Sequence, residues 1–419
     1  MQEHGITHLQ DGLVGGLNYA GDGIKSAEYV QSAKLVKFAA ESGDRFSPQA
    51  ARVLRFRLMD ECWLQPGTLK LQVQLNNTTL DAATPPAAID LTPIAQPLCM
   101  FQSARLLLNG QACESIDELP VMASIMDKLQ PVSTRITRSM QHHPIKDNGE
   151  YTPLKAGRSR FLLIDLPFGL TRQHLWLPLH IISQLVVELT LAPASTAFAE
   201  ANANFTLENV HMLGTCLHVD SNITMQYHNH IAMGSKLAIP FQSVIGTRHI
   251  VAGSAVDFTL ALSRSLNRLK QLYFVIVESG EKIVRDFKQP IAAADADLNT
   301  DIMSFQLQCG ATKFPDNFVL GAGEAYYRLM QAVGHAHDIT DMSITPSKFM
   351  GTDAIFGIDL ERLGAEAAFS GITTRNGKVL NLTVKNFKLS GDNAVREVFV
   401  FQVYDGIVNL RKASVDIEE

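Results

Sequence analysis

Two histidine groupings, one acidic run and one glycine pair are where this 419-residue chain has residue types suited to chemistry. His228-Asn229-His230 and His335-Ala336-His337-Asp338 offer imidazoles. A helix-borne zinc site of the protease type needs two histidines four apart with a glutamate between them, and neither grouping has that spacing. Asp295-Ala296-Asp297-Leu298-Asn299-Thr300-Asp301 resembles the start of a calcium loop. Such a loop needs glycine at its sixth position and glutamate at its twelfth, where this chain has Thr300 and Gln306. Gly321-Ala322-Gly323 ahead of a helical pattern suggests an anion cradle, but no Lys-Ser/Thr pair follows and the dinucleotide fingerprint is incomplete. His142-His143 lies in a polar stretch and reads as a solvated pair. No Gly-x-Ser-x-Gly elbow is present. The reading is therefore of a chain with no catalytic, cofactor-binding or metal-ligating residues, and not an enzyme.

Bulk properties narrow the classes further. Hydrophobic residues make up 46% and charged residues 19%, an ordinary globular balance. With 36 basic and 42 acidic residues the formal net charge is −6. A chain that coats nucleic acid is usually basic, so extensive or sequence-specific phosphate contact is not expected. Cys62, Cys99, Cys113, Cys216 and Cys309 are scattered singly. They read as buried or half-buried thiols kept in a reducing compartment, cytoplasm or nucleus, rather than as a disulfide framework. The polar start Met1-Gln2-Glu3-His4-Gly5 lacks a secretory h-region. The sequons at Asn77, Asn204, Asn222 and Asn381 then read as chance matches.

The elements that would position any site are strands. Leu69-Lys70-Leu71-Gln72-Val73-Gln74-Leu75 alternates apolar and polar without a break, and period two places one strand face on a core. Similar runs occur at 161–166, 185–191, 205–213, 256–262, 272–277, 355–360, 380–384 and 398–404. Asn109-Gly110 and Asn376-Gly377 mark hairpins, because both residue types tolerate positive φ. Helices are expected over Ile116–Leu129 and Glu324–Val333, from apolar stripes of helical spacing. A helical pattern is also read from Ser26 to Ser42. Residues 131–160 read as a long surface loop, 192–204 as a turn-like stretch, and 412–419 as an exposed tail.

Four passages carry a resemblance. Phe101-Gln102-Ser103-Ala104-Arg105-Leu106-Leu107-Leu108-Asn109-Gly110 runs a strand into a turn before the 116–129 helix. The run from Trp176 to Leu191 reads as a late closing strand. Phe314-Pro315 is followed by Glu324-Ala325-Tyr326-Tyr327-Arg328-Leu329, and 369–377 leads to the last strands. Together they resemble the double jelly-roll major capsid proteins of the adenovirus, virophage and polinton-like lineage.

The resemblance implies an all-β fold of two consecutive eight-stranded jelly rolls with a few short inserted helices. It divides the chain into an arm (1–46), a first jelly roll (47–215), a second (216–410) and a tail (411–419). It implies a homotrimeric, pseudo-hexagonal capsomer tiling an icosahedral virion, with neighbouring capsomers, penton and minor capsid proteins as partners. It says nothing of an inner membrane. The rival is a two-domain β-sandwich that acts on or binds carbohydrate, which needs carboxylates or aromatic rings converging on one cleft.

Overall fold

A computed structural model of the chain describes residues 30–80, 89–146, 149–182, 184–200, 202–253, 255–278, 287, 303–334, 344–361, 370–375, 378–386, 395–411 and 414–418. The first half contains β1 (Val30–Ala39), β2 (Val53–Leu58), β3 (Trp63–Leu64), β4 (Lys70–Asn77), β5 (Phe101–Leu108) and β6 (Gln111–Ile116). Helices α1 (Leu119–Leu129) and α2 (Val132–Arg138) follow, then β7 (Ser159–Asp165), β8 (Leu177–Pro178), β9 (Leu185–Leu191), the single turn α3 (Ala194–Ala197) and β10 (Phe205–Val219). Helix α4 (Ser221–Ala232) connects to the second half, its first turn capped by the Asp220 carboxylate, which accepts from the Asn222 N–H at 2.7 Å. The second half holds β11 (Leu237–Val251), β12 (Phe258–Leu262), β13 (Leu269–Glu278), β14 (Ser304–Cys309) and β15 (Thr312–Leu320). It continues with α5 (Gly321–Val333), α6 (Pro346–Phe349), β16 (Ile355–Asp359), β17 (Leu380–Lys385), β18 (Arg396–Leu410) and β19 (Val415–Glu418).

The pairing pattern is the decisive architectural fact. In the first half one sheet runs β1-β10-β4-β7 and the other β2-β9-β5-β6. In the second, one runs β11-β18-β13-β16 and the other β12-β17-β14-β15. With the two-residue strands β3 and β8 set aside, both halves number identically: first, eighth, third and sixth strands in one sheet, and second, seventh, fourth and fifth in the other. That is the order of a jelly roll. Helices α1 and α5 also enter at the same place in each half, between the fifth strand and the sixth. The similarity between halves, only a shared plan at the level of sequence, is thus a repeated topology.

Alternation builds the first core as the sequence implies. Along β4 every second residue is buried, and Leu71, Val73 and Leu75 are fully inaccessible. Asn109 and Gly110 take φ of 51° and 83°, the left-handed pair of the expected hairpin. Asn376-Gly377 lies outside the described residues.

Several expectations need correction. The helix read over 26–42 is a strand across 30–39, laid antiparallel along β10 from Val219 to His211. Its apolar residues fit either period, and the open edge of β10 supplies the ladder bonds that decide for extension. The 131–160 stretch is not all loop, because α2 occupies 132–138. The chain tail is not simply exposed: β19 pairs with the end of β18, with Val415 buried against the core. The stretch 192–204 contains α3. Sequon residue Asn77 is buried, and its Nδ2 donates to the carbonyls of Ile89 at 2.8 Å and Leu154 at 3.0 Å. No described helix is long and apolar enough to cross a membrane.

Candidate functional site

Among the described residues, the histidines and glycines singled out in the sequence do not come together. His228 and His230 lie two apart on α4, hence on different faces. His228 instead packs edge-on against His180, with centroids 5.1 Å apart. The glycine pair in the first turn of α5 is no anion cradle, because the Glu324 carboxylate already accepts from the Leu320 N–H at 3.0 Å at that helix start. Residues 295–301 and 335–338 lie outside the described residues.

His142-His143 is corrected. His143 is 1% exposed, its ring edge-on to Tyr151 and Phe198. Burial pushes its proton affinity well below the ordinary histidine value, so it stays neutral. The physical reason is the network beneath α2, where Asp127 accepts from Tyr151 Oη at 2.9 Å and pairs with Arg135 at 3.0 Å.

The structure does bring functional geometry together at the seam between the two jelly rolls. Strand β6, at the edge of its sheet, meets β11. The contact is backbone on backbone. A Cβ on Gly169 would sit 1.7 Å from the Gln242 carbonyl oxygen, and one on Gly246 would sit 2.4 Å from that of Asp117. Only glycine allows approach this close. On the same seam Glu114 is 1% exposed. Its two carboxylate oxygens accept from the N–H groups of Gly169 and Leu170, both at 2.9 Å, and so fix the loop that carries Gly169. Farther along, Lys128 of α1 bonds Asp353 of the second half at 2.7 Å, with both side chains 16% exposed, and lies over the Phe287 ring.

Burial raises the Glu114 carboxyl to about 7, outweighing its two backbone donors and the Arg172 guanidinium. A raised carboxyl binds its proton more tightly folded than unfolded. Its contribution is therefore complete below the ordinary value of 4.5 and is lost as pH rises through 7. That span corresponds to about 3 kcal/mol. The melting temperature should fall between pH 5 and pH 8, and Glu114→Gln, which mimics the neutral carboxyl, should flatten the fall. An unchanged slope in a pH-series melt of the variant would count against this role.

A groove of about 810 Å³ opens along the seam, lined among others by Met122, Phe241, Lys270, Tyr273 and Asp405. Asp405 is the sole carboxylate among its described lining residues. It sits 3.8 Å from Lys270, which also pairs with Glu361 at 2.9 Å. Glycoside hydrolysis needs two carboxyl groups facing one bond, and this groove does not present them. Neither tryptophan lines it. The carbohydrate rival has no support here.

No protein-family model and no curated protein matches the sequence. Solved structures do match, from end to end. PBCV-1 VP54, fitted into a reconstruction of the virophage Sputnik, aligns at TM-score 0.63 and 11% identity over 94% of this chain and 98% of that one. The Faustovirus major capsid protein aligns at 0.62 and 7% identity, covering 96% and 94%. The mavirus major capsid protein aligns at 0.51 and 10%, covering 97% and 94%.

The fold is the double jelly roll of viral major capsid proteins. At these identities the likeness lies in backbone path, and the strand order found twice in this chain accounts for it. In this double jelly roll the seam glycines and Glu114 hold one barrel against the other.

Sequence reasoning missed a second grouping. The ligand atoms of Asp60, Cys62 and Cys216 all lie within 4.8 Å of one another. Cys62 and Cys216 are 154 positions apart, so no local spacing reveals them. All five cysteines are buried and none is in a disulfide.

Proposed function

We propose that this chain is the major capsid protein of an icosahedral DNA virus, structural and without catalytic activity. The observation that carries the reading is the twice-repeated jelly-roll order with a helix inserted at the same place in both halves, matched end to end by viral major capsid proteins. A rigid pair of similar barrels is the unit that threefold association turns into a six-barrel ring. Head-to-tail contacts between such pairs close after three copies. The glycine-tight seam supports this, because a ring tiles only if the angle between the barrels of each subunit is fixed.

In this reading the first jelly roll begins with β1 rather than at residue 47, and the two jelly rolls meet at α4 rather than between 215 and 216, where β10 is continuous. The partners are further copies of the chain, then neighbouring capsomers, penton and minor capsid proteins. The protein resides in the virion and is made in a reducing host compartment, in keeping with five buried cysteines, none of them in a disulfide. The test is solution mass by light scattering with negative-stain imaging of the same sample. Three chains per particle with a hexagonal outline is the expected result. A monomer over a range of salt and concentration would sink the reading.

A further inference from the structure

We propose that Asp60, Cys62 and Cys216 form a binding site for a divalent transition metal, with zinc the best match to the donor set. The site is independent of the capsid reading, and its failure would leave that reading untouched.

The sheet builds the site. Cys216 on β10 is the ladder partner of Leu64 on β3. Cys62 lies in the bend just before β3, two residues ahead of Leu64, and its thiol comes within reach of that of Cys216. Both are fully inaccessible. Asp60, from the connection between β2 and β3, brings a half-buried carboxylate to the pair, completing the group within 4.8 Å. Two thiolates on one tetrahedral zinc stand about 3.8 Å apart, given Zn–S bonds of about 2.3 Å. That separation lies inside the 4.8 Å that bounds the group. Two thiolates and a carboxylate suit zinc and leave a fourth position for water.

A second layer supports the same assignment. The Leu179 N–H donates to the Cys62 backbone carbonyl at 3.1 Å and so holds the neighbouring His180 beside the loop that carries Cys62. The His180 Nε2 is buried with no partner among the described residues. Trp63 and His228 pack edge-on against that ring, at 4.9 and 5.1 Å. His180 is thus a positioning residue for the loop that carries Cys62.

A disulfide is the competing chemistry for two close sulfurs. It gives the carboxylate nothing to do, and the carboxylate opposes the thiolate that disulfide formation needs. Metal uptake would release the protons of the two thiols. Once bound, the ion ties the β2–β3 corner to β10, just before the helix that links the two halves.

The test uses the full-length chain, stripped with a chelator under reducing conditions and then titrated with zinc and, separately, with cobalt. One metal per chain is expected. Cobalt should show thiolate charge transfer in the near ultraviolet and intensified visible bands. Zinc should raise the melting temperature. Cys216→Ser should abolish the charge-transfer band. Asp60→Asn, at a half-buried position, should weaken cobalt binding by about tenfold or more. No stoichiometric metal, a cobalt spectrum without thiolate bands, or affinity unchanged in Asp60→Asn would overturn the proposal. So would a Cys62–Cys216 disulfide recovered by peptide mass spectrometry from protein prepared without reductant.

Discussion

Gly169→Ala should be among the most damaging single-methyl additions in this chain, costing about 3–5 kcal/mol. The new Cβ would lie 1.7 Å from the Gln242 carbonyl oxygen, 2.6 Å from its carbon and 3.1 Å from its nitrogen. Each of these is a backbone atom of the other jelly roll, so no rotamer change relieves the overlap. The loop must lift, and lifting it withdraws the Gly169 and Leu170 N–H groups from Glu114, leaving a buried carboxylate without its donors. Loss of seam geometry should also reach assembly. Light scattering of the variant should show fewer complete particles at a protein concentration where the parent is fully associated. Gly323→Ala is the control. Nothing lies within 4 Å of its added Cβ, and it sits inside α5. Alanine there should be neutral or stabilising by about 0.5–1 kcal/mol. Equal melting temperatures for the two variants would show that the seam is not the tight contact described.

Phe356→Ala should cost about 3–5 kcal/mol, and its effect should stay in the second jelly roll. Phe356 on β16 stacks on Phe274 of β13 at 4.8 Å and meets Phe305 of the facing sheet at 5.6 Å and Phe349 of α6 at 5.9 Å. All four rings are essentially inaccessible, so this cluster ties the two sheets and the short helix together. Collapse around the cavity is blocked on the opposite face of the strand. There Gly357 is pressed against α5, where an added Cβ would meet that of Ala332 at 3.0 Å. Hydrogen exchange should show lost protection in β13, β14 and β16 while β4 and β9 keep theirs. Uniform loss across both halves would mean that the jelly rolls unfold as one unit, contrary to this expectation.

What the sequence by itself determined was whatever depends on neighbours two to four residues apart. Period-two alternation marked β4 and β9 closely, because each strand has one face on the core and one towards water. The apolar stripe found α1, and Asn109-Gly110 found its hairpin. The spacing of the histidines and glycines was equally local.

β1 lay beyond that reach, since its residues suit a helix equally and only pairing with β10 selects the strand. β11 and β15 were also not marked: each carries an internal proline, Pro240 and Pro315, which reads against a strand. β15 is exposed along most of its length, and β11 buries every second residue only through its first half.

The tertiary structure alone decided the rest. Gly169 and Gly246 look like ordinary turn and strand residues until the second barrel arrives against them. Glu114 reads as a polar residue of a strand, yet burial at the seam makes it a proton-sensitive anchor. Cys62 and Cys216 were scattered thiols until the β3–β10 pairing brought them together. Each of these depends on contacts between segments remote in sequence. Ladder register and the docking of whole sheets create such contacts, and no periodicity along the chain encodes them.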